Sequence, residues 1–388
     1  MEIPLGHGRP HAKTDRGVPD QPRLLVLTPD FPPAYGGIQL LVRRVVENLE
    51  RFEPRVVALD QDGAEEFDRS AGIGVHRTRR IPIPKVTNAM LNVGALREAR
   101  AFRPDLVLNA HIVTSPAATM LRRISGTPFV QYLHADEVAV QPRLARLGVT
   151  RAEANIAVSS YTAGLARDAG ANADRVHQIP PGVDLPEPST VARSDRPTVV
   201  TVARLTDRYK GHDVMIEAML RVRAELPDAA WVVIGDGPLE KELIGFARSA
   251  GLGDTVIFTG AVSDAERDAW LDRAHVFAMP SRLPPSGRGG EGFGIVYLEA
   301  GAHSLPVVAG NVAGAVDAVV DGETGLLVDP ADPDAVAGAL LELLCEPELA
   351  RRLGAAGAKR APEFTWPRIA ARVEDLLVAT LEAPRAGR

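Results

Sequence analysis

Short apolar runs alternate with longer amphipathic stretches along this chain from residue 23 almost to its end. An unbroken apolar run of roughly four to eight residues suits a strand buried on both faces, whereas apolar positions recurring every three or four residues suit a helix with one buried face. Arg23 to Thr28 is the first run, and after a Pro/Gly turn Ile38, Leu41, Val42, Val45, Val46 and Leu49 mark the apolar face of a helix. Further strands are expected at Arg55 to Leu59, Leu106 to Asn109, Phe129 to Leu133 and Asn155 to Ser159, completing a first sheet. After a Pro-rich segment from Ile179 to Pro188, a second series is expected near Thr198 to Ala203, Ala230 to Ile234, Val256 to Thr259, Val276 to Met279 and Pro306 to Ala309.

Strand and helix in alternation give parallel sheets with helices on both faces. The pattern therefore predicts an α/β protein of two Rossmann-like, doubly wound domains facing a cleft. Residues 1–22 form a disordered tail, 23–188 the first domain, 189–363 the second, and 364–388 a C-terminal helix and tail. That last segment has a Trp366-Pro367 step and an amphipathic helix whose partner surface the sequence does not name. Ligands of such sheets sit outside the carboxyl ends of the strands, so the residues just after each strand carry most information.

At 388 residues the chain exceeds what one core usually supports, which agrees with two domains. A net charge of −6 argues against nucleic acid as a partner, so any anion site must be local. The single cysteine, Cys345, lies in an apolar helical run and reads as a buried structural thiol. No stretch has the apolar length of a signal peptide or a bilayer span, which makes a cytoplasmic protein the expectation.

Two stretches carry candidate chemistry. Glu291-Gly292-Phe293-Gly294-Ile295 leads through Val296, Tyr297 and Leu298 to Glu299, setting two carboxylates eight positions apart where a loop enters a helix. The glycines let backbone N–H groups approach a ligand, a helix N-terminus attracts phosphate, and carboxylates accept from sugar hydroxyls. The combination suits a nucleotide sugar. Upstream, Arg204 and Lys210 flank a turn at the carboxyl end of the second domain's first strand. With five lysines against 39 arginines in the chain, a lysine there hints at a compact point charge. Fixed cations around a departing diphosphate stabilise the charge it gains.

The stretches Pro29 to Gln39, Ile179 to Asp184, Ala203-Arg204-Leu205 with Tyr209-Lys210-Gly211, Gly235-Asp236-Gly237-Pro238 and Glu291 to Ala300 together resemble the retaining glycosyltransferases of family four, which have the GT-B fold. The resemblance covers nearly the whole chain in the family's order. Pro181 stands where the family commonly has Asn, and Arg282 to Gly290 is longer and richer in Pro, Gly and Arg than in many members. The resemblance implies that Gly36 and Gly37 bring amides to the diphosphate, Arg204 and Lys210 hold it, Glu291 contacts the donor sugar, His134 faces that sugar, and Glu299 takes the ribose hydroxyls. It also implies retention of configuration, with the departing diphosphate accepting the acceptor's proton. The nucleotide sugar is then a co-substrate, no cofactor is expected, and no metal is expected: the acidic triplet Asp60-Gln61-Asp62 follows a second strand where such a fold places no metal.

Asp30 to Gln39 and Glu291 to Ala300 look most like bacterial phosphatidylinositol mannosyltransferases, which use GDP-mannose. Arg77, Arg79, Arg80 and Lys85, with Arg122 and Arg123, form a basic group that would either meet anionic lipid at the inner face of the plasma membrane or stand as a solvated loop. Thr87 to Phe102 would be a membrane-touching helix or, by preference, a core helix. A UDP- or dTDP-sugar with a soluble cyclitol or secondary metabolite as acceptor is the alternative. Asp136 and Glu137 would orient the acceptor or sit in a solvated loop, and Ser159 and Ser160 suit helix caps. A sugar-nucleotide epimerase and an NAD-dependent oxidoreductase using Asp60 are the rival enzymes. The oxidoreductase lacks its Gly-x-Gly-x-x-Gly turn. A nucleotide-sugar sensor without activity would have lost one of Arg204, Lys210 or Glu291, and all three are present.

Overall fold

The computed structural model describes residues 21–383; of the predicted N-terminal tail, residues 1–20 lie outside them. Two parallel sheets organise the chain. The first contains β1 (Arg23–Leu27), β2 (Glu53–Leu59), β3 (Gly74–Thr78), β4 (Leu106–Asn109), β5 (Phe129–Leu133), β6 (Ala154–Ala157) and β7 (Val176–Gln178), in the order β3-β2-β1-β4-β5-β6-β7. The second contains β8 (Thr198–Val202), β9 (Ala230–Ile234), β10 (Val256–Gly260), β11 (Val276–Met279), β12 (Val307–Gly310) and β13 (Gly325–Val328), in the order β10-β9-β8-β11-β12-β13. Helices cover both faces, so Leu24, Leu25, Val26 and Leu27 in β1 are all fully buried, which is why that strand reads as an unbroken apolar run.

Each expected strand is present within one or two residues. Three were missed. β3 and β7 are edge strands of polar sequence, Gly-Val-His-Arg-Thr and Val-His-Gln, with little full burial, and β13 is a four-residue edge strand closing the second sheet. An edge strand is held by one neighbour and covered incompletely, so β3 and β7 carry little apolar signal, whereas β13, Gly-Leu-Leu-Val, is apolar but only four residues long.

The two sheets share one apolar cluster that runs from Leu24 and Val26 through Ile179, Val183, Phe293 and Trp366 to Phe277 and Met279. The C-terminal helix Trp366–Glu382 finds its partner in the first domain, against the helix Gly37–Glu47. Glu374 fixes it there: its buried carboxylate accepts from the N–H groups of Glu50 and Arg51 at 2.8 and 2.6 Å and from Arg51 Nε at 3.0 Å. Cys345 departs from expectation. It ends the helix Pro333–Cys345 on the solvent side and is exposed, because the buried face of that helix is Val336, Ala337, Ala339, Leu340 and Leu343.

Candidate functional site

In each sheet the strand order reverses at one place, between β1 and β4 in the first and between β8 and β11 in the second. At such a switch point the connections leave in opposite directions and open a crevice at the carboxyl ends. Arg204 and Lys210 follow β8 and Glu291 follows β11, so the second crevice carries the two cations and the first glutamate. Asp30, Gly36 and Gly37 follow β1, while His111 follows β4 and His134 follows β5.

Backbone packing builds the second-domain side. Gly235 and Gly237 lie so close to Ala203 and Leu205 that a side chain at either would strike backbone atoms, and Leu205 N–H donates to Asp236 O at 2.7 Å while Leu239 N–H donates to Leu205 O at 2.9 Å. The Gly-Asp-Gly-Pro loop thus braces the cationic loop, a role the sequence alone did not reveal. Arg204 and Arg208 both stay exposed on it, Arg208 paired with Glu242 at 2.7 Å. Lys210 meets Glu291 at 2.5 Å, both side chains mostly buried, with its Nζ 5.2 Å from the centre of the Tyr209 ring.

The loop after Glu291 rests on another backbone. Gly314 N–H donates to Glu291 O at 2.9 Å. Gly294, at φ +91°, begins the helix Ile295–Ala302 and packs under the Tyr297 ring. Tyr297 OH in turn donates to Met279 O at 2.8 Å. Phe293 points into the core beside Phe364, 6.3 Å between ring centres, so it offers a ligand only its backbone. Glu299 lies in the second turn of the helix, and burial raises its carboxyl above the ordinary range despite nearby Arg267.

On the first-domain side, Gly36 precedes the helix Gly37–Glu47, which has no side-chain cap and no acidic residue in its first turn. Among the described residues nothing accepts from its first N–H groups, which leaves them able to meet an anion. Gly36 leaves room for the Gln39 side chain, and Gly37 lies 3.8 Å, at its would-be Cβ, from Ile295 Cδ1. The glycine turns of the two domains therefore face each other across the cleft. The His134 ring is buried and stacks on Tyr132 at 5.6 Å; its Nε2 is 3.2 Å from Ala110 O. Burial lowers its pKa, outweighing the pull of Glu137, which favours the neutral ring. Across the cleft, the would-be Cβ of Gly292 lies 3.6 Å from Ala135 N, directly after His134.

The acidic pair after His134 splits in two. Glu137 is buried and holds its own loop, accepting from His134 N–H at 2.9 Å and Ile112 N–H at 2.8 Å. Asp136 reaches across the cleft to accept from Gly290 N–H at 2.6 Å. Burial raises the Asp136 carboxyl, with Gly290 opposing. Tyr161 OH donates to Gly289 O at 3.2 Å and accepts from Gly289 N–H at 3.1 Å. The Arg282 to Gly290 stretch is thus a strap clasped to the first domain. Ser159 caps the helix Ser160–Asp168 by accepting from Thr162 N–H at 3.1 Å, whereas Ser160 instead donates across the domains from N and Oγ to Asp317 at 2.7 and 2.8 Å.

Other expectations move away from the cleft. Asp60 follows β2, outside the β1/β4 switch point, and accepts from Gln61 N–H at 2.9 Å. Arg77 leaves the basic group: it is nearly buried, paired with Asp68 at 2.7 Å and donating to Pro32 O at 2.6 Å. Arg122 is paired with Glu153 at 2.6 Å. Arg79, Arg80, Lys85 and Arg123 remain exposed. The helix Pro84–Phe102 is a core helix through Leu91, Ala95, Ala99 and Phe102, while Ile83, Val86 and Val93 stay exposed, as do Met120 and Ile124 of the neighbouring helix Ser115–Ser125. No helix among the described residues is long and apolar enough to cross a membrane.

Comparison with known proteins agrees with the two-domain fold. The family described as "Glycosyltransferase Family 4" matches residues 35–187 and that described as "Glycosyl transferases group 1" matches residues 187–360. The chain is 35% identical, over 94% of its own length and all of the other's, to the GDP-mannose-dependent alpha-(1-6)-phosphatidylinositol monomannoside mannosyltransferase of Mycolicibacterium smegmatis. It is 30% identical, over 87% of its length and 88% of the other's, to the D-inositol 3-phosphate glycosyltransferase of Pseudarthrobacter chlorophenolicus. Anabaena HepE in complex with UDP and glucose shares the fold, with a TM-score of 0.78 at 21% identity over 92% of this chain and all of that one. Two facing parallel-sheet domains, with both family profiles in register and relatives matched end to end, make this chain a GT-B glycosyltransferase of family four.

Proposed function

We propose that this glycosyltransferase moves mannose from GDP-mannose to a mannosylated phosphatidylinositol, with retention of configuration and without a metal. The observation that carries the donor side is the β8/β11 crevice, where Arg204, Lys210 and Glu291 lie on braced loops opposite the free helix N-terminus at Gly36 and Gly37. Arg204 and Lys210 hold the diphosphate, aided by the amides of that helix. Glu291 accepts from a donor-sugar hydroxyl, as does Glu299 from the ribose. His134, neutral and beside the Gly292 loop, contacts the sugar. As the bond between the anomeric carbon and the diphosphate oxygen breaks, its electron pair goes to that oxygen, which the cations stabilise, while the acceptor oxygen bonds to the anomeric carbon from the same face and passes its proton to the diphosphate. No side-chain base is then needed.

Support for the donor and acceptor comes from the similarity to the mycolicibacterial enzyme. The exposed apolar side chains Ile83, Val86, Val93, Met120 and Ile124, together with Arg79, Arg80, Lys85 and Arg123, support contact with an anionic membrane surface. Each basic residue near such a surface contributes about 1 kcal/mol. Similarity to the D-inositol 3-phosphate glycosyltransferase favours a soluble cyclitol phosphate as acceptor in a second reading, whose donor would be a UDP- or dTDP-sugar.

A thermal-shift panel of GDP, UDP, ADP and dTDP on the wild type and on Lys210→Ala tests the donor. Ligand at about 100 times its Kd adds about 2.7 kcal/mol, enough for several degrees. A shift with GDP that is lost in Lys210→Ala is expected. A shift with UDP alone favours the second reading, and no shift with any of the four overturns the site.

A further inference from the structure

His111 and Asp30 are the two side chains that straddle the β1/β4 crevice: one follows β4, the other β1. His111 Nδ1 lies 3.0 Å from Glu137 Oε2 and 3.2 Å from Val113 N. It can serve one of these at a time, and the carboxylate prevails as the charge-assisted partner. Burial opposes charge on the ring, but Glu137 and Asp30 together raise its pKa. Glu137 is itself immobilised by His134 N–H and Ile112 N–H, so the ring is fixed to the same loop that carries His134. Its Nε2 is then directed at Asp30 Oδ2, 4.0 Å away. Asp30 is pinned by Gln39 Nε2, which donates to Oδ1 at 3.2 Å, and Oδ2 has no hydrogen-bond donor among the described residues.

A separation of 4.0 Å is too long for a direct hydrogen bond. It suits one hydroxyl oxygen placed about 2.8 Å from each atom. That hydroxyl donates to Asp30 Oδ2. It accepts from Nε2–H when the ring is charged. We infer that His111 and Asp30 form a hydroxyl-binding pair for the acceptor, a polyol such as an inositol or mannose ring, and so set which hydroxyl reaches the donor sugar. The cations that would hold the diphosphate lie in the other sheet's crevice, and Gly36, Gly37 and His134 are already assigned to the donor from the first domain, so the His111–Asp30 pair is left to serve the acceptor. Beneath it, a buried network supports the loop: Thr114 Oγ1 donates to Asn109 Oδ1 at 2.6 Å, and Asn109 Nδ2 donates to Gln131 Oε1 at 2.6 Å. A loop held this rigidly suits positioning.

This inference rests on the proposed function, in which an acceptor hydroxyl meets the donor sugar in this cleft. Its test is steady-state kinetics of His111→Ala, His111→Gln, Asp30→Asn and the double variant His111→Ala/Asp30→Asn, with phosphatidylinositol monomannoside and, separately, D-inositol 3-phosphate as acceptors, alongside GDP titration. Losing a hydrogen bond to a charged group should lower acceptor kcat/KM by about 10- to 100-fold, chiefly through KM, with GDP affinity retained. His111→Gln, which keeps an N–H donor, should recover part of what His111→Ala loses. The double variant should lose less than the product of the two single losses, because both groups hold one hydroxyl. Normal wild-type transfer with acceptor KM within twofold in every variant overturns the pair, as does a parallel loss of GDP affinity. A wild type that binds GDP yet transfers to neither acceptor overturns the acceptor reading instead, and the pair with it.

Discussion

Replacing Lys210 separates the chemistry of the site from its stability. Lys210 Nζ lies 2.5 Å from Glu291 Oε2, with the side chains 17% and 12% exposed. Removing one partner of a fully buried pair costs about 3–5 kcal/mol, and residual solvent contact here lowers that to about 1–3 kcal/mol. Lys210→Ala should therefore lower Tm by a few degrees in the absence of ligand. Its kinetic cost is larger. One unit charge about 4 Å from a departing diphosphate is worth about 4 kcal/mol at an effective dielectric near 20, close to three powers of ten in rate. Desolvation offsets part of that, so a loss in turnover of at least about a hundredfold is expected. The double variant Lys210→Ala/Glu291→Gln removes the stranded carboxylate and should regain most of the lost Tm without regaining turnover. The assays are ligand-free thermal melts and steady-state GDP-mannose turnover on all three proteins. A single variant within tenfold of wild-type turnover, or a double variant that recovers turnover with Tm, would show that Lys210 supports the fold rather than the diphosphate.

Two further outcomes follow from the same geometry. Burial raises the Glu299 carboxyl above its ordinary 4.5, with Arg267 opposing, so the folded protein holds that proton more readily than the unfolded chain and its stability falls as pH rises through the raised pKa. The carboxylate that accepts ribose hydroxyls exists only above that pH. Glu299→Gln should raise KM for the donor more than it lowers kcat, and the ratio of wild-type to variant GDP affinity should shrink as pH drops toward 4.5; a ratio unchanged with pH contradicts the role. Tyr161→Phe removes both hydrogen bonds to Gly289, each worth about 1 kcal/mol, and should speed tryptic cleavage after the exposed Arg288 several-fold, whereas unchanged cleavage would mean that Asp136 alone holds the strap.

The one-dimensional pattern was enough to place the nine interior strands, because strands covered on both faces must be largely apolar, as β1 and β9 are, together with the edge strand β10, whose Val-Ile-Phe run is apolar as well. It also marked Arg204, Lys210, Glu291 and Glu299, since a charge in a strand-end loop or a glycine-rich helix entry departs visibly from its surroundings. The polar edge strands β3 and β7 left no such trace. Neither did the bracing of Arg204 by Gly235 and Gly237, the cross-cleft grip of Asp136 on Gly290, nor the facing of His111 and Asp30. Those depend on strand order, which brings residues 81 and 154 positions apart into contact, as in Asp30 with His111 and Asp136 with Gly290. Local sequence sets how each segment folds and which residues end its strands. Only the tertiary structure decides which strand ends are neighbours, because sheet order and domain closure are settled by burial of faces that no single segment can cover alone.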